Sequence, residues 1–371
     1  MHTVGENTVH ITDIGYETCK AGYSGVELPS IYKRREGQNY DDCLAQVLNE
    51  ITTEPADVSL INIDDPFIHT EQRRKTFSHL MESSLCSGVL FINGAVADCF
   101  SYGKSAGLMI RLNGSSTQVI PMIEGYCLSG GLRSSCGGHF LTEVTRKCLQ
   151  RKSDELKTNL LLPQAAIQAK ERVALEQLPT YTEKAYYTGL SENQKYGQEM
   201  NVARCFKESV SFLGHCQPKY YEFATGFTTR IFSERNEIPE KLFKSENYTL
   251  ERLDPTKQMS GTVGSMGLLE MVKTVMESVD LEYYDMLLGN VMLSGGGSLV
   301  PGITERLQSE LMKMFPNTRV KVCNDRREFA TFFGGSILGS LGAASTLMIT
   351  KSDYSECGLS ALDRKRSEWV R

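Results

Sequence analysis

No two of the eleven cysteines in this 371-residue chain have C-x-x-C spacing. That absence argues against a zinc site and against a disulfide framework, and favours reduced thiols. No apolar run approaches the ~20 residues that span a bilayer. Residues 1–12 are too polar for a signal peptide, so the chain is expected in the cytoplasm or the nucleus. Positive charge is not in excess either: 40 Lys and Arg against 45 Asp and Glu give a net charge of −5, which offers no bulk attraction to nucleic acid or to an anionic membrane. The basic runs 73–75 and 364–366 are read as solvated helix faces. No internal repeat is legible, yet 371 residues exceed what one hydrophobic core usually covers, so two lobes are expected.

What is present centres on residues 291–302, which run Val-Met-Leu-Ser-Gly-Gly-Gly-Ser-Leu-Val-Pro-Gly. A buried strand feeding a loop of nearly bare backbone lets a ligand approach the main chain and suits a nucleotide's base or phosphates. Tight packing between strand and helix gives the same pattern. A valine at Gly296 is expected to clash there. Ile303, Leu307, Leu311 and Phe315 then step along one helical face, Pro316 stops it, a strand follows over 319–323, and an apolar helix begins near Phe332. Upstream, strands over 9–14, 58–63 and 89–92 alternate with helices over 71–83 and 94–102, and strands over 108–112 and 119–124 follow. That order favours an α/β sheet with helices on its faces. Asp41 or Asp42 is expected to cap a helix lined by Leu44, Val47, Leu48 and Ile51. Ile238-Pro239-Glu240 is read as opening a helix, and 335–346 as one continuous helix.

The stretches Leu293-Ser294-Gly295-Gly296 with Pro301-Gly302-Ile303, Gly334-Gly335-Ser336-Ile337, and Ile349-Thr350-Lys351-Ser352-Asp353-Tyr354 together resemble actin and the actin-related proteins. The resemblance implies an α/β, actin-like two-lobed fold of the kind shared with Hsp70 and sugar kinases. Residues 1–102 and 325–371 would form the first lobe and 103–324 the second, with an unmatched insertion at about 149–200 that reads as a surface excursion or a partner-binding extension. The resemblance also implies a nucleotide cleft. Asp13, Gly15 and Lys20 match its first phosphate hairpin, Arg204, Lys207 and Glu208 its adenosine-side helix, and Gly295 and Gly296 its glycine loop. Spacing from Lys207 to Leu293 favours this register over Lys170-Glu171.

Four departures bear on chemistry. Tyr16 and Glu17 replace small residues of the phosphate hairpin, and a carboxylate beside phosphates repels them by about 1 kcal/mol even in water-like surroundings. In the second hairpin, Arg111-Leu112-Asn113-Gly114-Ser115-Ser116, Arg111 takes the place of the metal-associated aspartate; it would repel a divalent cation or else neutralise a phosphate. Gly94 takes the place of the water-positioning glutamine, with Asn93 beside it. Glu328, in the run 326–329, stands where the family has a lysine. Hydrolysis and a metal site are therefore not expected, and ATP or ADP at most would be held without turnover.

After Pro29-Ser30-Ile31-Tyr32-Lys33-Arg34 the small subdomain whose loop grips the next actin subunit is largely absent. The resemblance there is to the pointed-end actin-related subunit of dynactin. It implies a non-catalytic protein that caps or scaffolds one end of an actin-like filament in dynein-based transport, in the cytoplasm and cytoskeleton. Its partners would be an actin-like filament subunit and other subunits of a multiprotein complex, with no nucleic acid, no membrane and no homopolymer. The alternative is a nuclear actin-related subunit of a chromatin-remodelling complex, which the insertion suits. An ATP-hydrolysing filament-forming actin is the third reading.

Overall fold

The computed structural model describes residues 9–35, 38–52, 58–161, 191–215, 217–223, 228–244, 250–253, 266–323 and 328–364. In the first sheet β1 (Val9–Ile14) pairs antiparallel with β2 (Thr18–Tyr23), and β2 with β3 (Ile31–Arg34). On the other side of β1, β4 (Ser59–Asp64) and β5 (Gly88–Asn93) follow in parallel. The second sheet repeats this wiring. Its β6 (Gly107–Leu112) is antiparallel to β7 (Thr117–Ile123), which also carries the short β8 (Tyr126–Cys127) and pairs antiparallel with β9 (Leu132–Ser134). β10 (Lys219–Glu222) and β11 (Thr228–Ile231) form a separate ribbon, and β12 (Leu250–Arg252) edges β9. β13 (Val291–Ser294) and β14 (Val322–Cys323) then continue in parallel from β6, and β15 (Ile349–Thr350) returns to the first sheet beside β5. The architecture is the α/β, actin-like two-lobed fold.

Strands buried on both faces read as continuous apolar runs, as the parallel strands β5 and β13 do. Four helices come early in the chain: α1 (Tyr40–Ile51), α2 (Thr70–Glu82), α3 (Gly94–Ser101) and α4 (Gly138–Leu161). Between the sheets lies one cluster drawn from both, with Ile11, Ile63, Ile92, Met109 and Met292 packed on Ala95 and Val96 of α3 and on Phe332 and Leu338 of the helix Ala330–Gly339. Each large apolar side chain in it contributes about 1.5–3 kcal/mol by leaving water. α3 is thus the shared floor of the cleft between the lobes. Residues 35–39 alone connect β3 to α1, too few for the small subdomain that actin carries at this point.

Several local expectations are corrected. Asn39 caps α1, its Oδ1 accepting from the Tyr40 N–H at 2.7 Å, while Asp41 is buried and accepts from Thr76 Oγ1 at 3.1 Å. Pro239 does not open a helix; it lies in the last turn of the helix Glu234–Glu240. Its missing N–H cannot make the helical bond to the Arg235 carbonyl four residues back, and that carbonyl accepts from the Phe212 N–H at 2.9 Å. The helix read over 335–346 is broken into Ala330–Gly339 and Ala343–Leu347, with glycines 339 and 342 flanking the break. Arg73 is not on a solvated face; its Nε reaches Asp64 Oδ2 at 2.5 Å. Of the stretch 149–200, the described ends belong to α4 and to the helix Glu192–Val210, joined by Arg146 Nη1 to Glu199 Oε2 at 2.9 Å. Residues 162–190, which include Lys170 and Glu171, lie outside the described residues, as do Arg326, Arg327, Lys365 and Arg366.

Candidate functional site

A cavity of about 720 Å³ lies between the two sheets, and Asp13, Gly15, Lys20, Arg204, Lys207, Glu208, Gly295 and Gly296 all line it. The fold brings these together because they sit on strands, turns and a helix that border the cleft. Gly295 leaves β13 with φ +84°, and an added Cβ would stand 2.5 Å from the Leu112 carbonyl oxygen, so the glycine loop seats directly on the second hairpin. Gly296 differs: it is exposed and a Cβ there meets nothing within 4 Å, which corrects the clash expected for valine.

At the phosphate end the charges are already engaged. Lys20 Nζ pairs with Asp13 Oδ2 at 3.0 Å. The Gly15 N–H donates to the Thr18 carbonyl at 2.8 Å. Two N–H groups of the α4 N-terminus, ordinarily free to take an anion, donate instead to the second hairpin: Gly138 to the Asn113 carbonyl at 2.9 Å and His139 to that of Gly114 at 2.7 Å. Lys207 Nζ donates to the Gly138 carbonyl at 2.9 Å and to Thr142 Oγ1 at 2.8 Å. Burial lowers the Lys207 pKa, against the pull of Glu17 and Glu208.

Arg111 borders the cavity, but its guanidinium is already engaged. On β6 and almost fully buried, it donates from Nε to Asp98 Oδ2 at 2.7 Å and from Nη1 to Gln118 Oε1 at 3.1 Å. Ser294 Oγ donates to the same Asp98 oxygen at 2.6 Å, and Gln118 Nε2 to Asp65 Oδ2 at 2.8 Å. Burial opposes the Arg111 charge, but Asp98, Asp65 and Asp13 outweigh it and hold its pKa above the ordinary value. A Cβ on Gly94 would stand 2.7 Å from Arg111 Nη2, so the guanidinium fills the space where a side chain at 94 would project. Asn93 caps α3, its Oδ1 accepting from the Ala95 N–H at 2.9 Å. Asp98, Gln118 and Asp65 are absent from the residues expected on sequence. The available signal was an aspartate inside the apolar run Gly94-Ala95-Val96-Ala97-Asp98-Cys99, because a buried carboxylate requires a counterion.

The nucleoside end is more open. Tyr32 Oη donates to Glu328 Oε1 at 2.8 Å, and Arg34 Nη2 lies 3.8 Å from Glu208 Oε2, a half-exposed pair worth little. The cleft residues therefore do not fit a metal-bound triphosphate: a cation replaces the metal-holding carboxylate, a carboxylate enters the phosphate hairpin, and the helix N-terminus is spent.

Comparison with known proteins adds kinship. The actin family profile matches residues 36–367. The chain is 29% identical over 316 residues to actin-related protein 4 of Oryza sativa subsp. japonica, an alignment covering 82% of this chain and 70% of that protein. It is 28% identical over 320 residues to actin-related protein 4 of Arabidopsis thaliana, covering 81% and 70%. It is also 28% identical over 285 residues to the SWI/SNF and RSC complexes subunit arp42 of Schizosaccharomyces pombe, covering 71% and 66%. These relatives overturn the reading as a pointed-end dynactin subunit in dynein-based transport and the cytoplasmic cytoskeleton. The chain belongs to the actin family.

Proposed function

We propose that this chain is a non-hydrolysing structural subunit of a nuclear chromatin-remodelling complex. The buried Arg111–Asp98 pair carries the absence of hydrolysis, since phosphoryl transfer relies on positioning and charge stabilisation around a metal. Kinship supports the complex: one relative is named as a subunit of SWI/SNF and RSC complexes and others as actin-related protein 4. A tagged copy, purified from cells that express it naturally, is expected to concentrate in the nucleus and to bring down a remodelling ATPase. A cytoplasmic copy that brings down motor-adaptor subunits would overturn the proposal.

Turnover is tested separately. Magnesium-dependent phosphate release from ATP is expected to stay at background, and activity that is lost in Asp13→Ala would refute this. The shortened link 35–39 supports a scaffold over a filament. Specific interfaces bury about 1,200 Å² or more in total, and the lengthwise contact that actin builds there lacks its main loop. Concentrated protein in polymerising salt is expected to remain unsedimented, and homopolymers seen by electron microscopy would contradict it.

A further inference from the structure

We infer that Glu17 takes the place of a nucleotide's terminal phosphates, so that the cleft discriminates against polyphosphates and closes without one. The first phosphate hairpin is held from outside by Arg35, the residue that directly follows β3. Its N–H donates to the Glu17 carbonyl at 2.8 Å and its Nη1 to the Gly15 carbonyl at 3.3 Å. With the backbone so fixed, the Glu17 side chain crosses to the second hairpin and lies over Gly114. A Cβ on Gly114 would stand 3.1 Å from Glu17 Cγ and 3.3 Å from its carboxyl carbon, so glycine at 114 is what admits the carboxylate. A second contact runs from the same hairpin to the start of α4, Tyr16 edge-on to His139 with ring centroids 5.4 Å apart.

Charge follows the same arrangement. Lys207 is a partly buried cation at this end of the cleft, and Glu17 is the acidic neighbour that most favours its charged form. Lys20 is neutralised by Asp13, and Arg111 by Asp98. An incoming triphosphate would meet Lys20 and Arg111 already matched and the Glu17 carboxylate in its path, whereas an uncharged nucleoside would not be repelled by that carboxylate. This revises the expectation of ATP or ADP held without turnover. It concerns the cleft alone and is independent of which complex holds the chain.

The test is calorimetric titration of the full chain with ATP, ADP and adenosine, each with and without magnesium. Wild-type protein is expected to bind ATP no more tightly than adenosine. Glu17→Ser, which removes the carboxylate, is expected to raise ATP affinity by about tenfold or more while leaving adenosine unchanged. Glu17→Gln keeps the volume and removes only charge, and is expected to give a smaller rise in the same direction, which covers the case in which the serine variant does not fold. Wild-type protein that prefers ATP to adenosine by about tenfold would overturn the inference. So would a variant with unchanged melting temperature that binds ATP no better than wild type.

Discussion

Asp98→Ala is expected to destabilise the protein by about 3–5 kcal/mol, the range for breaking a buried ion pair by removing one partner. Asp98 is fully buried on α3 and receives both the Arg111 Nε–H and the Ser294 hydroxyl on one oxygen. Without it the Arg111 guanidinium retains its hydrogen bond to the Gln118 amide oxygen but loses its paired carboxylate while 5% exposed. The penalty arises from the stranded cation more than from the lost bond. The double variant Asp98→Ala/Arg111→Met is therefore expected to recover a large part of the loss, because replacing a buried pair by apolar side chains is often neutral. Thermal and urea midpoints of wild type, both single variants and the double variant give the coupling. A single Asp98→Ala loss within about 0.5 kcal/mol, the usual size of a surface substitution, would mean that Asp98 is not the counterion the geometry indicates. The same pair ties β6 to the helix that floors both lobes, so the double variant also reports whether the pair fixes the cleft or only neutralises charge.

Gly302→Ala is expected to cost about 2–5 kcal/mol, the sum of two effects. Gly302 precedes the helix Ile303–Met314 with φ +85°, a conformation that costs an L-residue about 1–2 kcal/mol. A Cβ there would lie 1.7 Å from the Leu213 carbonyl oxygen, and overpacking of that kind adds about 1–3 kcal/mol. The neighbouring loop cannot shift freely, since the Leu213 N–H donates back to the Pro301 carbonyl at 2.8 Å. Gly296→Val, earlier in the same glycine-rich stretch, is expected to change stability by less than about 1 kcal/mol because its Cβ faces open space. Melting curves of the two variants decide this, and equal losses in both would show that the contacts of each glycine do not set its tolerance.

The sequence by itself determined most strands and helices of the first half of the chain, but not the break after Gly339 or the place of Pro239. The bounds Val9–Ile14 and the helix start at Gly94 were legible from apolar spacing and turn residues, because a strand's or helix's burial is written in its own period. So was the strand–glycine–helix unit, and the eight residues to which the family resemblance pointed all border the cavity, though others there, Asp65 among them, were not foreseen. What tertiary structure decided lies in pairings between distant segments. The two sheets repeat one wiring with no legible repeat in sequence, since many different side chains satisfy the same pleat. Arg111 finds Asp98 on α3 and occupies the space left by Gly94, and Glu17 finds Gly114 across the cleft. A charge in a sequence announces that it needs a partner. Only the packed chain selects which one, because the choice depends on distances between elements that local patterning does not encode.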